Sequence, residues 1–253
     1  MPAVSLSKLV RECDRLLRPE GFQDDPRACN GLQVGNRGRV TRLAAAVDAT
    51  PATVRLAAAS RAGLLLVHHG LFWSPRQPWT GHHYDLLRSL LDHDLAVYSA
   101  HLPLDAHPRL GNNARLCAAL GLRRLRPFLR QGNRTIGFAA SARLPREQLA
   151  SRLEQAVGGP VRLIPGGPAV CRRIGVVTGG AGGELAQAAA EGADTLVTGE
   201  GPHWTFGLAE ELGVNVLYAG HYATETFGVR ALADHLSRRF GLPWEFLDHP
   251  TGL

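Results

Sequence analysis

The residue types that can do chemistry in this chain are histidines and carboxylates placed at the ends of apolar segments. His68 and His69 follow the run Leu64-Leu65-Leu66-Val67 and precede Gly70. Neighbouring residues of a strand point to opposite faces, so both imidazoles can serve one site only where the strand breaks, and Gly70 supplies that break. The segment His101-Leu102-Pro103-Leu104-Asp105 follows the next apolar run, and His221-Tyr222-Ala223-Thr224-Glu225 comes late in the chain. A helix starting near His221 would put His221 and Glu225 one turn apart on one face. Imidazole and carboxylate ligands accept zinc, iron, manganese or nickel. The set is too large for one closed tetrahedral site and suits two divalent ions about 3.5–4 Å apart, bridged by a carboxylate and a water. Asp105 reads as a metal ligand or as a helix or turn cap. His101 reads as a ligand, as a residue orienting one, or as a proton carrier.

These residues must be positioned by the elements that precede them. Leu6, Leu9, Val10, Cys13, Leu16 and Leu17 lie at helical spacing, ended by Pro19 and Gly21. Beyond a loop that reaches Gly35, apolar strands at 43–47, 64–67 and 95–99 alternate with helices at 51–62, 83–91 and 113–120. After 134 the alternation resumes, with strands at 135–139, 161–164, 174–177, 195–197, 215–218 and 244–247. The helices of that half fall at 145–157, 184–191, 203–212 and 224–240. Short apolar strands alternating with helices indicate parallel β-α-β units, hence an α/β fold of three layers with mostly parallel sheets. The Arg-rich stretch Arg123–Arg134 is the sharpest change in composition. It divides the chain into a first domain, 1–122, with the His-His pair, and a second, 123–253, with the H-x-x-x-E residues. The last strand is allowed to return to the first domain. The same stretch reads either as a solvated connection or as a phosphate-facing patch. A faint echo links 63–69 with 193–200, each an apolar strand ending in polar residues.

The 253 residues, 45% hydrophobic and 20% charged, exclude a disordered chain or a coiled coil. No apolar run is long enough to span a membrane, and the first residues lack the apolar stretch of a signal peptide, so a cytoplasmic protein is expected. The formal charge of +6 favours anionic partners such as nucleotides, phosphates or nucleic acid, and of these a small anionic substrate such as a nucleotide is the expected one. Because Lys8 is the only lysine, much of that charge reflects arginine-rich composition. Cys13, Cys29, Cys117 and Cys171 form no C-x-x-C pair, so no zinc knuckle or disulfide framework is indicated. Gly179–Gly183 lacks both the G-x-G-x-x-G spacing and the lysine of a phosphate loop, and reads as a tight turn. His82 and His83 read as surface residues, and His93, His107, His203, His235 and His249 carry no signal singly.

Several motifs together resemble the GTP cyclohydrolase I type 2 homologue family. They are Asn30-Gly31-Leu32-Gln33-Val34-Gly35, Val47-Asp48-Ala49-Thr50, His68-His69-Gly70-Leu71-Phe72-Trp73, His101-Leu102-Pro103-Leu104-Asp105, Thr198-Gly199-Glu200 and Gly220-His221-Tyr222-Ala223-Thr224-Glu225. The resemblance implies two interlinked α/β domains and assembly into a toroidal homohexamer with its sites facing an inner cavity. It also implies a dinuclear centre of two divalent metal ions on His68, His69, Asp105, His221 and Glu225, with His101 close by. The stretch between Gly132 and Gly180 is too short for the ferredoxin-like domain that longer members insert. Gly201-Pro202-His203-Trp204 departs from the commoner family pattern and leaves His203 without an assigned role.

Two functions compete. One is a metal-dependent hydrolase acting on a nucleotide, GTP by the family name, with His101 carrying the proton and arginines within 123–134 holding phosphates. The other is a non-enzymatic, ring-shaped protein that handles metal or presents an interaction surface. A dinucleotide-binding reading fails because its glycine fingerprint is absent.

Overall fold

Uninterrupted apolar runs become strands covered on both faces, and the centre of this fold is built on them. The computed structural model describes residues 3–73, 78–132 and 134–253. In chain order the elements begin with β1 (Val4–Ser5), α1 (Leu6–Leu17), β2 (Gly31–Val34), β3 (Arg39–Val40) and β4 (Leu43–Asp48). Next come α2 (Pro51–Ala59), β5 (Leu64–His69), α3 (His82–Asp92), β6 (Ala96–Ser99) and α4 (Leu102–Asp105). After these follow α5 (Asn112–Ala119), β7 (Arg126–Gln131), β8 (Arg134–Pro145), α6 (Arg146–Val157), β9 (Arg162–Pro165) and β10 (Val170–Val176). The last are α7 (Leu185–Ala190), β11 (Thr195–Thr198), α8 (Thr205–Leu212), β12 (Asn215–Tyr218), α9 (His221–Phe240) and β13 (Trp244–Phe246). Two units result: Met1–Leu104 with Gly228–His249, and Asp105–Phe227 with Pro250–Leu253. The division therefore falls after Leu104 and again inside α9, not at the 122/123 junction expected from composition. β13 belongs to the first unit.

In the first unit a five-stranded sheet has the order β13-β4-β5-β6-β2, parallel throughout except for β2 against β6. Ala44, Ala46, Leu65, Val67 and Val97 pack with Val54 and Ala57 of α2 and Leu90 of α3. Alternate positions face the other way, where Tyr98 donates to Asp14 of α1 at 2.8 Å. Glu12 of α1 in turn accepts from His235 of α9 at 2.9 Å. Helices thus lie on both faces of this sheet, as three layers require. α2 starts where Pro51 and a reciprocal Thr50–Thr53 capping box place it.

The second unit holds a six-stranded sheet of order β7-β8-β10-β11-β12-β9. Only β10-β11 and β11-β12 are parallel; the pairs β7-β8, β8-β10 and β12-β9 run antiparallel. The expectation of a mostly parallel sheet therefore holds for the first unit and is corrected for the second. The Arg-rich stretch accounts for part of the difference. Instead of a connecting loop it contains β7, hairpinned to β8, with Arg126, Arg130 and Arg134 exposed and Phe128 fully buried. A Cβ on Gly175 would collide with the Phe128 ring, so the glycine admits this edge strand's one aromatic. On the other face Leu116 and Leu120 of α5 and Leu149 and Leu153 of α6 cover Phe138, Ala140, Ile174 and Val176. The echo noted between 63–69 and 193–200 falls on β5 and β11, each flanked by parallel strands. Among the described residues no helix is long and apolar enough to cross a membrane.

Candidate metal centre

At the carboxyl edge of the first unit's sheet, where side chains of parallel strands converge, His68, His69 and His101 come together. One ligand atom from each lies within 4.8 Å of the others. His68 is fully buried, and His69 is the last residue of β5. The His68 Nδ1–H donates to Ala100 O at 2.8 Å and the His69 Nδ1–H to Asp48 Oδ1 at 2.8 Å. The His101 Nδ1–H donates to Asp24 Oδ1 at 2.7 Å. A carbonyl or an ionised carboxylate can only accept, so each Nδ1 carries a proton, and in the neutral ring each Nε2 keeps its lone pair. That donor set is what a divalent ion of borderline softness requires, so the residues fit a metal. Gly70 gives the chain its turn away from the cluster: a Cβ there would collide with Gln33, whose Oε1 accepts from Leu71 N at 2.7 Å.

The second unit presents its own ligand group. α9 begins at His221, so His221 and Glu225 do stand one turn apart, with Nε2 and Oε2 separated by 3.2 Å. The His221 Nδ1–H donates to Glu200 Oε1 at 2.7 Å. Burial alone would lower the imidazole pKa, but the two carboxylates at its two nitrogens raise it from 6.5 to about 9. A divalent ion held by His221 and Glu225 would take the place of that proton. Gly179 has φ +72, and a Cβ on it would collide with Glu225 Oε1, so this glycine is required twice over. The Asp105 Oδ1 accepts from Asn112 Nδ2 at 2.8 Å and Thr178 Oγ1 at 3.4 Å. Asn113, fully buried, donates to Ile136 O at 2.6 Å and accepts from Thr178 N at 2.7 Å.

The sequence singles out these histidines and carboxylates but not the groups that hold them. Asp24 had no signal, lying in what reads as a featureless loop. Asn30, Asp48 and Glu200 stood in motifs without roles. Asn112 and Asn113 look like ordinary helix-start polar residues. His203 is exposed and precedes α8, which starts at Thr205. The Gly179–Gly183 run forms a short 3₁₀ turn from Ala181, consistent with its reading as a turn. Among the described residues Cys29 is exposed and the other three cysteines are buried and free.

Fold and site together define an α/β protein carrying histidine and glutamate groupings that can hold a metal ion. The family described as DUF34/NIF3 (NGG1p interacting factor 3) matches residues 4–251. The GTP cyclohydrolase 1 type 2 homolog of Deinococcus radiodurans is 45% identical over 254 residues, covering 99% of this chain and 95% of that protein. The crystal structure of TTHA1606 from Thermus thermophilus is similar with a TM-score of 0.90 at 44% identity, covering 99% of this chain and 100% of that one. A structure titled protein ybgI, unknown function, has a TM-score of 0.91 at 33% identity, with 99% and 100% covered. The chain belongs to the DUF34/NIF3 family.

Proposed function

We propose that this protein is a dinuclear-metal-dependent hydrolase acting on a nucleotide, with His68, His69, Asp105, His221 and Glu225 as metal ligands. The observation that carries this reading is the shared orientation of the histidines. Every one of His68, His69, His101 and His221 has its Nδ1 engaged by an acceptor, which keeps Nε2 for a ligand or a proton. Bound divalent ions would supply Lewis acidity and acidify water at neutral pH. The chain's own residues contribute the rest: Asn112 and Thr178 orient Asp105, Glu200 orients His221, and His101 moves the proton between the attacking water and the leaving group. The relatives' name supports a purine nucleotide as substrate and not a particular bond to be broken. The same family likeness supports a toroidal homohexamer, which light scattering would show as about six times the 27.2 kDa chain mass.

The test is incubation of metal-reconstituted wild type and Asp105→Ala with GTP and a small nucleotide panel, with products followed by mass. Ring-opened or dephosphorylated product from wild type alone supports the hydrolase. No product with zinc, iron, manganese or nickel replaces it with the second reading, a ring-shaped protein that handles metal or binds partners.

A further inference from the structure

We propose that Asp24, assisted by Asn30, is a positioning residue that locks His101 in a single tautomer and ring orientation, which makes His101 Nε2 the proton carrier of the hydrolytic reaction. This rests on the hydrolase reading above and adds the residue that reading lacks. The carboxylate of Asp24 is only 4% exposed and each of its oxygens takes two donors. Oδ1 accepts from His101 Nδ1 at 2.7 Å and from Asp25 N at 2.7 Å. Oδ2 accepts from Asn30 Nδ2 at 2.7 Å and from Leu102 N at 3.1 Å. With both oxygens doubly engaged, the carboxylate cannot rotate without breaking a buried hydrogen bond. Asn30 Oδ1 also accepts from the His101 backbone N–H at 2.7 Å, so the ring and the main chain of His101 are gripped by one loop.

The other side of the ring is bounded as well. Trp73 lies 4.9 Å from His101, centroid to centroid, nearly perpendicular to it. Arg27 sits over the Trp73 ring at 5.6 Å and forks onto Asp25, the neighbour of Asp24, at 2.9 and 2.7 Å. The contacts thus close a circuit through His101, Asp24, Asp25, Arg27 and Trp73. The Nδ1 partners of the other three histidines are of a different kind or more exposed. His68 has a backbone carbonyl, and His69 and His221 have carboxylates that are 25% and 46% exposed. A sheltered carboxylate behind Nδ1–H both selects the tautomer and stabilises the imidazolium that forms when Nε2 takes a proton. In the step this serves, a water O–H bond breaks as the water oxygen bonds to the substrate's electrophilic atom, and the proton goes to Nε2. The bond to the leaving group then breaks, and the leaving group receives that proton.

Magic-angle-spinning NMR of zinc-loaded, [15N]histidine-labelled protein reads the tautomer, with the His101 signals assigned by difference against His101→Gln. The expected wild-type result is a His101 ring protonated on Nδ1 alone. In Asp24→Asn the carboxamide keeps its oxygen for Asn30 and Leu102 and turns its N–H toward His101, so an Nε2–H population should appear. Turnover in that variant should fall by about 10- to 100-fold with KM little changed, as for other residues that orient a functional histidine. A wild-type ring carrying Nε2–H, or a His101 Nε2 shifted by zinc coordination, overturns the proposal even if Asp24→Asn fails to fold. So does an unchanged ring in a folded Asp24→Asn. Nδ1–H in a wild type that turns over no nucleotide instead overturns the hydrolase reading and leaves the positioning by Asp24 standing.

Discussion

Asp48 and His69 are register partners on the last rung of the β4–β5 ladder, and the carboxylate of one accepts the Nδ1–H of the other at 2.8 Å. Two parallel strands thereby end on a carboxylate–histidine pair whose geometry is set by main-chain pairing. Asp48→Ala should leave the ladder intact, since Ala49 N still donates to His69 O. It should weaken metal binding about 10- to 100-fold. Competition with a chromophoric chelator measures this, and an unchanged affinity would remove His69 from the ligand set.

Neighbouring asparagines of α5 separate stability from ligand orientation. Asn113→Ala strips fully buried partners from Ile136 O and Thr178 N and should cost about 2–4 kcal/mol in chemical denaturation. Asn112→Ala removes the shorter of the two hydrogen bonds to Asp105 Oδ1 and should lower metal affinity more than it lowers stability. If both variants lose stability alike and bind metal alike, Asn112 is a packing residue only.

Glu12 predicts an acid limb of stability. Hydrogen bonds from Arg15 foremost, then from His235, and the charge of Arg239 outweigh its burial and hold its carboxyl at about 2 against an ordinary 4.5. Because the folded value is the lower one, the stabilisation is complete above about pH 4.5 and is lost as pH falls through about 2. Glu12→Gln should destabilise by about 1.5–3 kcal/mol at neutral pH. That deficit should shrink as pH drops from 4.5 toward 2 in urea titrations of both proteins; a deficit independent of pH would count against an ionised Glu12.

Metal removal provides a test independent of substrate. A ligand that binds only the folded state at about 100 times its Kd adds about 2.7 kcal/mol of stability. Chelation should therefore lower Tm, and re-addition of metal should restore it. Gly179→Ala, which crowds Glu225 in a left-handed turn, should melt lower than wild type and gain less from metal. Melting curves that superimpose with and without chelator would argue against a metal held by both His and Glu ligands.

Patterns local in sequence were legible without coordinates. The apolar runs at 43–47, 64–67 and 216–218 lie in strands because unbroken apolar residues need cover on both faces. The four-residue spacing of His221 and Glu225 becomes one helical turn wherever a helix starts at His221. The family motifs made the candidate ligands visible for the same reason, since each is a short segment at an element end. What only the tertiary structure decided is non-local. β2 and β7 carry mixed or Arg-rich sequences and become strands because β6 and β8 offer them a free edge. Pairing of β2 with β6 sets Gly31 opposite Ser99, and that brings Asn30 to the main chain of His101. Asp24 meets the same histidine 77 residues away through a loop that shows no periodicity. A ligand can be recognised by its type and its neighbours, whereas the group that aims it is chosen by distance in space, and only chain folding supplies that distance.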